Sequence, residues 1–478
     1  MNSKLNRKYV SSNSILWFIY ILIAIILSFG LQLPYPFNFI PLLIPIAVVS
    51  VVVIVKYPFF GLLIYLIFFL IRPQEFLSIL SRLPVPLELL TASLLLITLA
   101  FKLKREDKLQ LLFTNIDKSI LFFLFVAFLS MILSIWVDLA WVEWYKLFSY
   151  VIVYFMITQL VESKKQLNYF IYFIILTSVF HAGTSILNYY TGTYEYRMGI
   201  KRAVGMDSSH GSPNSLAATL AFTLPFLYYI FLIHKKLFYR IIIISISLLM
   251  LWCIILTGSR TGMVGVIFIS IYLIWQNKNK FVNIFILVIS SLILWVVMPP
   301  QYQERFISTT DISSDTGAAS SAHGRIEGFV NGFHFMLDRP ILGYGIGCWA
   351  MANQSIYGRG YFQAHSLPGQ IMGELGMLGI MAFIIWIYYL FKNMKILKIY
   401  KFGDIEFNTK VKFLVISLKT QILSLFIFGL GGHNLYRYNW YIVSAIIVVL
   451  LNLKRNESSI ISISNDKAKA NELPDKVI

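Results

Sequence analysis

Arg202, Arg260, Arg325 and His365 are the side chains best suited to chemistry in this sequence, and each stands in a short polar segment between apolar runs. Arg202 opens Arg202-Ala-Val-Gly205, which is followed by Gly211-Ser-Pro-Asn214 at the head of an apolar run. Arg260 follows Thr257-Gly258-Ser259 in a turn of a few residues. Arg325 belongs to His323-Gly-Arg325, read as part of a short amphipathic helix and followed by Asp338-Arg-Pro340 and Gly343-Tyr-Gly345-Ile-Gly347. His365 lies in Ala364-His365-Ser366, ahead of Glu374-Leu-Gly376. A guanidinium stays charged and its planar fork matches two oxygens of a phosphate. In the turn at Arg260, backbone N–H groups and small side chains can also meet an anion. The glycines alone would serve a tight helix–helix turn, so the functional reading rests on the arginine, a cation that is costly near hydrocarbon unless paired. An imidazole with a pKa near 6.5 can take a hydroxyl proton at neutral pH.

Glu374 lies nine residues beyond His365. At about 100° per residue it falls nearly opposite on the helix, so contact with another helix or with an acceptor is expected, not a direct pair. Gly343-x-Gly345-x-Gly347 lacks the strand–helix surroundings of a nucleotide fingerprint and reads as backbone that bends closely against protein or ligand. No Asp-x-Asp pair and no His-Glu-x-x-His appears on the same face, and His323, His334 and His365 have no zinc-site spacing. Neither a metal nor another cofactor is expected. Cys253 and Cys348 match no redox or metal spacing.

The elements that must position these residues follow from composition. Of 478 residues, 58% are hydrophobic and 13% charged, outside the range of soluble domains. Long Ile/Leu/Phe runs reach the roughly 17–25 residues that cross about 30 Å of hydrocarbon, and they do not alternate as barrel strands would. Fourteen candidate spans are legible, near 15–33, 39–55, 59–71, 87–101, 119–137, 144–160, 167–189, 214–233, 241–256, 262–275, 281–298, 367–391, 413–429 and 439–452. Several are short, so the expectation is an all-α polytopic bundle of 12–14 transmembrane helices. The division is 1–298 for the N-terminal helices, 299–366 for a large outer loop with short helices, 367–452 for the C-terminal helices and 453–478 for a disordered cytoplasmic tail. The first apolar run is long enough to remain as a span, so no cleaved signal is expected.

Charge sets the orientation. With Lys4, Arg7 and Lys8 placed in the cytoplasm, alternation puts 27 basic residues inside and 11 outside, as the positive-inside rule requires. Inside, 23 of the 27 are Lys; outside, ten of the 11 are Arg, at 72, 82, 197, 202, 260, 305, 325, 339, 359 and 437. The net charge of +18 is therefore spread over short loops as topology signals and headgroup contacts, which excludes nucleic acid as the partner. An outer face rich in Arg beside apolar helices points to a phosphate-bearing ligand such as a lipid, with headgroups or local carboxylates as the plainer alternative.

The order Arg-x-x-Gly, Pro-Asn, Thr-Gly-Ser-Arg, Gly-Arg, Arg-Pro, Gly-x-Gly-x-Gly, Ala-His-Ser and Glu-x-Gly resembles the O-antigen ligase superfamily over about 190–390. That group includes O-antigen ligases, Wzy-type polymerases and bacterial protein O-oligosaccharyltransferases. Arg72-Pro-Gln-Glu75 is similar to a segment of ligase-like members from exopolysaccharide clusters. The resemblance implies a GT-C-like, metal-independent glycosyltransferase of the bacterial inner membrane, with both termini cytoplasmic and its active site at the periplasmic face. It would take a glycan from undecaprenyl diphosphate and pass it to a hydroxyl of a lipid, glycan or protein acceptor. Arg202, Arg260 and Arg325 would hold the diphosphate and His365 would act on the acceptor, with Glu374, Asn214 and Ser259 as acceptor contacts or structural support. Usual members carry Asn where this chain has Ser366. Ligase-like transfer is the leading expectation and polymerase the second. A transporter or flippase of lipid-linked glycan is the alternative from another class, expected to show internal repeats and interrupted helices.

Overall fold

The computed structural model describes residues 40–81, 86–105, 113–197, 199–277, 279–307 and 317–471. The expected span at 15–33 and Arg82 lie outside them. The chain divides at Lys108 into two compact units.

In the first unit, α1 (Ile40–Lys56) and α2 (Pro58–Leu66) are neighbours joined at Tyr57, and α2 continues as a π-helical turn over Ile67–Ile71. The third long helix, α3 (Leu87–Arg105), packs on both. Pro58 starts α2 at a position where a missing N–H costs nothing. Arg72 ends the π turn in the left-handed region at φ 55° and pairs with Glu75 at 3.0 Å.

The second unit runs α4 (Asn115–Ile132), α5 (Val137–Leu160), α6 (Lys164–Thr191), the hairpin β1 (Glu195–Arg197) and β2 (Ile200–Arg202), α7 (Pro213–Ile233), α8 (Leu237–Leu256), α9 (Arg260–Trp275) and α10 (Lys280–Val297). Three shorter or peripheral helices follow, α11 (Pro300–Ile307), α12 (Gly317–Asp338) and α13 (Trp349–Ser355), and then α14 (Leu367–Ile399), α15 (Ile405–Leu430) and α16 (Tyr438–Asn471). Among the described residues seven helices are long and apolar enough to cross a membrane: α4, α6, α7, α8, α10, α14 and α15. The chain is an all-α polytopic membrane protein.

Every expected span from 39 onward overlaps a helix. The caps explain the boundaries. Thr114 and Asp117 form a capping box on α4, Ser163 and Gln166 one on α6, and Ser259, Ser366 and Asp404 cap α9, α14 and α15. The first of these helices ends at Ile132, five residues before the expected 137, because Ser134 turns away to donate to Tyr344 O at 2.9 Å. The tail expected to be disordered continues α16 as helix to Asn471. No Gly or Pro interrupts 453–471, and extending an existing helix is far cheaper than starting one.

Two helices carry defects that set the packing. Pro225 lies inside α7 and leaves Ala221 O without its intrahelical donor. From α15, Gln421 donates to Phe222 O at 3.0 Å and Ser417 to Pro225 O at 2.7 Å, which ties α15 to this stretch of α7. In α14, Gly376 takes φ 60°, ψ −156°, a conformation reserved for glycine. The freed groups pair with the preceding loop: Met377 N–H donates to Pro340 O, Tyr344 N–H to Gly373 O and Gly345 N–H to Glu374 O. A Cβ on Gly376 would lie 2.7 Å from Pro340 O. Gly376→Ala is therefore expected to cost about 1–3 kcal/mol from backbone strain alone, seen as a lower melting temperature, while Ala at the neighbouring Leu378 leaves the break intact.

Lys164 at the start of α6 reaches Asp404 at the start of α15 at 3.5 Å. Arg202, Arg260, Arg305 and Arg325, from β2, α9, α11 and α12, gather around one cavity.

Candidate active site

The hairpin sets the first arginines. Pairing of Glu195 with Arg202 and of Arg197 with Ile200 puts Ile200 and Arg202 on the inward face and Lys201 outward, as strand alternation dictates. Ile200 enters a small core with Leu256, Met298 and Tyr302. The buried Tyr302 hydroxyl donates to Lys201 O at 2.7 Å, and Ala203 N–H donates to Leu256 O at 2.9 Å. Thus β2, the end of α8 and α11 are locked together.

The Thr257-Gly258-Ser259-Arg260 turn is the hub. Arg202 Nε donates to Thr257 O at 2.8 Å, and its outer nitrogen to Asn214 Oδ1 at 3.2 Å. Arg305 Nε donates to Gly258 O at 2.8 Å, and Arg260 Nε to Arg305 O at 3.2 Å. Two backbone carbonyls of one turn therefore fix two guanidiniums, and the third arginine leans on the second. Ser259 lines no part of the cavity. Its Oγ accepts Gly262 N–H at 3.1 Å as the cap of α9, so of its two expected roles it serves structural support.

Arg325 and His365 arrive by a close helix crossing. Gly328 and Gly332 of α12 lie against α14: an added Cβ would stand 1.7 Å from Ala364 O at the first and 2.3 Å from Gly369 O at the second. Only residues without side chains permit such an approach. The crossing leaves Arg325 one turn earlier, donating to Thr261 Oγ1 at 3.1 Å. Gly332→Leu is expected to part α12 from α14 and to abolish activity at near-normal expression, a loss that a glycan-transfer assay on purified protein would detect. His365 has φ 47°; with Arg72 it is one of two non-glycine residues in the left-handed region among the described residues. Such strain is held only where surroundings dictate it, and it marks candidate functional positions.

Arg197, Arg202, Arg260, Arg305, Arg325 and His365 line a single cavity of about 620 Å³, within the roughly 300–1,000 Å³ of ligand sites. Burial, then repulsion from Arg202, Arg260 and Arg197, with Glu195 opposing, pushes Arg305 down to about 10. Burial likewise lowers Arg202 and Arg325. So many like charges in one cavity favour an anion strongly. Burial, then Arg325 and Arg197, lowers His365 below the usual imidazole value. The side chain is nevertheless exposed where it lines the cavity, so water weakens both the burial effect and the repulsion.

A second cavity of about 190 Å³ shares Asn214, Thr261, His365 and Gly431 with the first. It brings in His433, whose ring centroid is 5.7 Å from that of His365. Crowding by protein, then His365, Arg437 and Lys146, lowers His433 as well, although its side chain keeps exposed surface, which weakens the effect. Glu374 is apart from His365, as the helical spacing requires. Its Oε2 accepts from Tyr436 Oη at 2.6 Å and from Gly347 N–H at 3.0 Å. The Gly343–Gly347 run bends against the protein itself: its three glycines have positive φ, and a Cβ on each would meet Glu374, Ser134 or Glu143.

Sequence reasoning thus places Arg202, Arg260, Arg325, Asn214 and His365 around one cavity. It misses Arg305, Arg197 and His433 as site residues. Arg305 is outnumbered by polar neighbours in Pro300-Gln-Tyr-Gln-Glu-Arg305, whereas the Gly431-Gly432-His433-Asn434 turn between two apolar runs was a readable signal. Of the expected histidines, His323 lies at the cavity and pairs loosely with Glu327 at 3.8 Å, and His334 does not line it. The one group of metal-ligating atoms among the described residues is elsewhere, at the buried His181, Asp207 and His210. There His210 Nδ1 meets Asp207 Oδ1 at 2.7 Å and the two imidazoles stack at 4.1 Å.

Residues 245–384 match the family model described as O-antigen ligase. The chain carries a domain of the O-antigen ligase superfamily. The matched region runs from α8 through the break in α14 and contains Arg260, Arg305, Arg325, His365 and Glu374, while Arg202 and His433 lie outside it. No curated protein matches the chain. O-antigen ligase-family proteins are glycosyltransferase-type enzymes of polysaccharide biosynthesis that use lipid-linked glycans and acceptors.

Proposed function

We propose that this protein is a metal-independent glycosyltransferase that moves a glycan from undecaprenyl diphosphate to an acceptor hydroxyl, in the manner of an O-antigen ligase. The observation that carries the reading is the gathering of five arginines and His365 on one cavity at the ends of apolar helices. Arg202, Arg260, Arg305 and Arg325 hold the diphosphate, and the apolar surfaces between helices take the polyprenyl chain. The acceptor oxygen attacks the anomeric carbon as the bond from that carbon to the phosphate oxygen breaks. The electron pair leaves with the lipid diphosphate, and the hydroxyl proton passes to His365. Negative charge grows on the leaving oxygen, so fixed guanidiniums favour the transition state over the bound donor. They supply the charge that a divalent ion supplies in other transferases. In this reading the cavity lies at the periplasmic face of the inner membrane with both termini in the cytoplasm, which the excess of basic residues in the loops assigned to the cytoplasm supports.

Purified protein in detergent micelles, with polyprenyl-diphosphate glycan and candidate acceptors, tests this reading. Transfer in the absence of two compartments is the expected result. A transporter would leave the donor intact there and move it only across sealed vesicles. The break in α14 is the feature that favours transport, but its freed groups are taken by the protein's own loop.

A further inference from the structure

Beyond the histidines lies a third cavity, of about 280 Å³, which shares Ser215, His433 and Arg437 with the second. We propose that it is the subsite for an uncharged, hydroxyl-rich sugar of the acceptor, anchored by Glu374 Oε1. This rests on the glycosyl-transfer reading and adds the chemistry of the acceptor and the side from which it enters.

The three cavities form a run. The first is an arginine basin, the second holds the two imidazoles, and the third is walled by carboxylates, amides and phenols, with Glu143, Gln363, Gln370, Glu374, Tyr436 and Tyr438 contributing. A donor diphosphate favours the first, where arginines dominate; the third sets Lys146 and Arg437 against two carboxylates and offers no such excess of positive charge. Glu374 has no exposed surface, and one oxygen is already engaged by Tyr436 and Gly347. Its other oxygen, Oε1, has no hydrogen-bond partner; Gln370 is close, but its geometry does not satisfy that atom. Buried polar atoms are nearly always bonded, and an unpaired one in a residue that lines a cavity calls for a donor from the group that fills it.

The wall also says what that donor is. Glu143 is neutralised by Lys146 at 3.4 Å, and Arg437 donates to Ser215, so two carboxylates and two cations leave the cavity near electrical balance. A charged ligand gains little there. A sugar ring offers hydroxyls that donate to Glu374 and accept from amides, and its C–H face suits the phenol rings of Tyr150 and Tyr438, which meet edge to face at 6.4 Å. Glu374 is aimed by the break at Gly376 two residues on, so its carboxylate is fixed before the acceptor arrives.

The test uses purified full-length protein in detergent, polyprenyl-diphosphate glycan as donor, and p-nitrophenyl glycosides of neutral hexoses and of hexuronic acids as acceptors. Wild-type protein is expected to glycosylate the neutral glycosides in preference to the uronic acids. Glu374→Gln keeps an oxygen for Tyr436 and Gly347 but presents an NH2 group to the cavity. It is expected to raise the acceptor KM at least tenfold at unchanged donor KM. Glu162→Gln, the same exchange next to Lys164 at the start of α6 and outside all three cavities, is expected to leave acceptor KM within threefold. An unchanged acceptor KM in Glu374→Gln, an equal rise in both variants, or equal use of uronic acids by wild type overturns the subsite while leaving the glycosyl-transfer reading in place. Failure of wild type to transfer to the neutral glycosides while it still glycosylates other acceptors does the same. Failure of wild type to consume the donor with any acceptor overturns both.

Discussion

His365→Ala is expected to lower the transfer rate by about 10²–10⁴-fold, the range that a positioned general base contributes, while donor affinity changes little. Among the described histidines His365 lines both the first and the second cavity, whereas His323 lines the first alone and His433 does not line the first. His433 stands 5.7 Å away by ring centroid and is held further from protonation by its surroundings, so it is a poor substitute. The pH dependence follows in sign. A base must be neutral to work, and burial with Arg325 and Arg197 holds His365 below 6.5. Activity of the free enzyme, read as kcat/KM, is therefore full above about pH 6.5 and falls as pH drops through the lowered pKa. A bound diphosphate offsets the arginines and favours the imidazolium. The acid limb of kcat should then lie at higher pH than that of kcat/KM. Coincident limbs, or full activity in the Ala variant, would remove His365 from the reaction.

Arg305→Gln is expected to cost about 10²–10³-fold in kcat, the scale seen when one preorganised donor to a developing anion is lost. Burial first, and then Arg202, Arg260 and Arg197, push Arg305 down to about 10, and its Nε is fixed on Gly258 O, which orients the guanidinium at the cavity wall. Stability should not fall in parallel. Removing one of several mutually repelling charges relieves the empty cavity, which leaves the melting temperature unchanged or slightly raised. Arg305→Lys should recover only part of the rate, since an ammonium restores the charge without the fork. Thermal denaturation beside kinetics separates the two effects: a variant that loses activity only because it unfolds would contradict the assigned role.

Hydropathy and charge made the fold legible, because a helix in hydrocarbon must be long, apolar and internally hydrogen-bonded. The split between Lys and Arg reported which loops share an end, and Arg202, Arg260 and Arg325 do meet. What sequence could not show was how distant segments touch. Arg305 belongs to the site only because Tyr302, in the same short helix, is pinned to Lys201 O. His433 belongs because its turn folds against the start of α14. Glu374-Leu-Gly376 reads as an unbroken span, yet the loop at Pro340–Gly345 opens the helix there and takes over its backbone hydrogen bonds. Ser259 had the right type and place for a ligand contact, but it is turned to cap α9 and does not line the cavity.

The central claim is that the arginine cavity holds the diphosphate of a lipid-linked donor beside His365. A cryo-EM map of the protein with a non-transferable polyprenyl-diphosphate glycan tests it most directly. The account predicts diphosphate density among Arg202, Arg260, Arg305 and Arg325, with the anomeric carbon turned toward His365. Density for the diphosphate anywhere else on the protein, with that cavity unfilled, would contradict it.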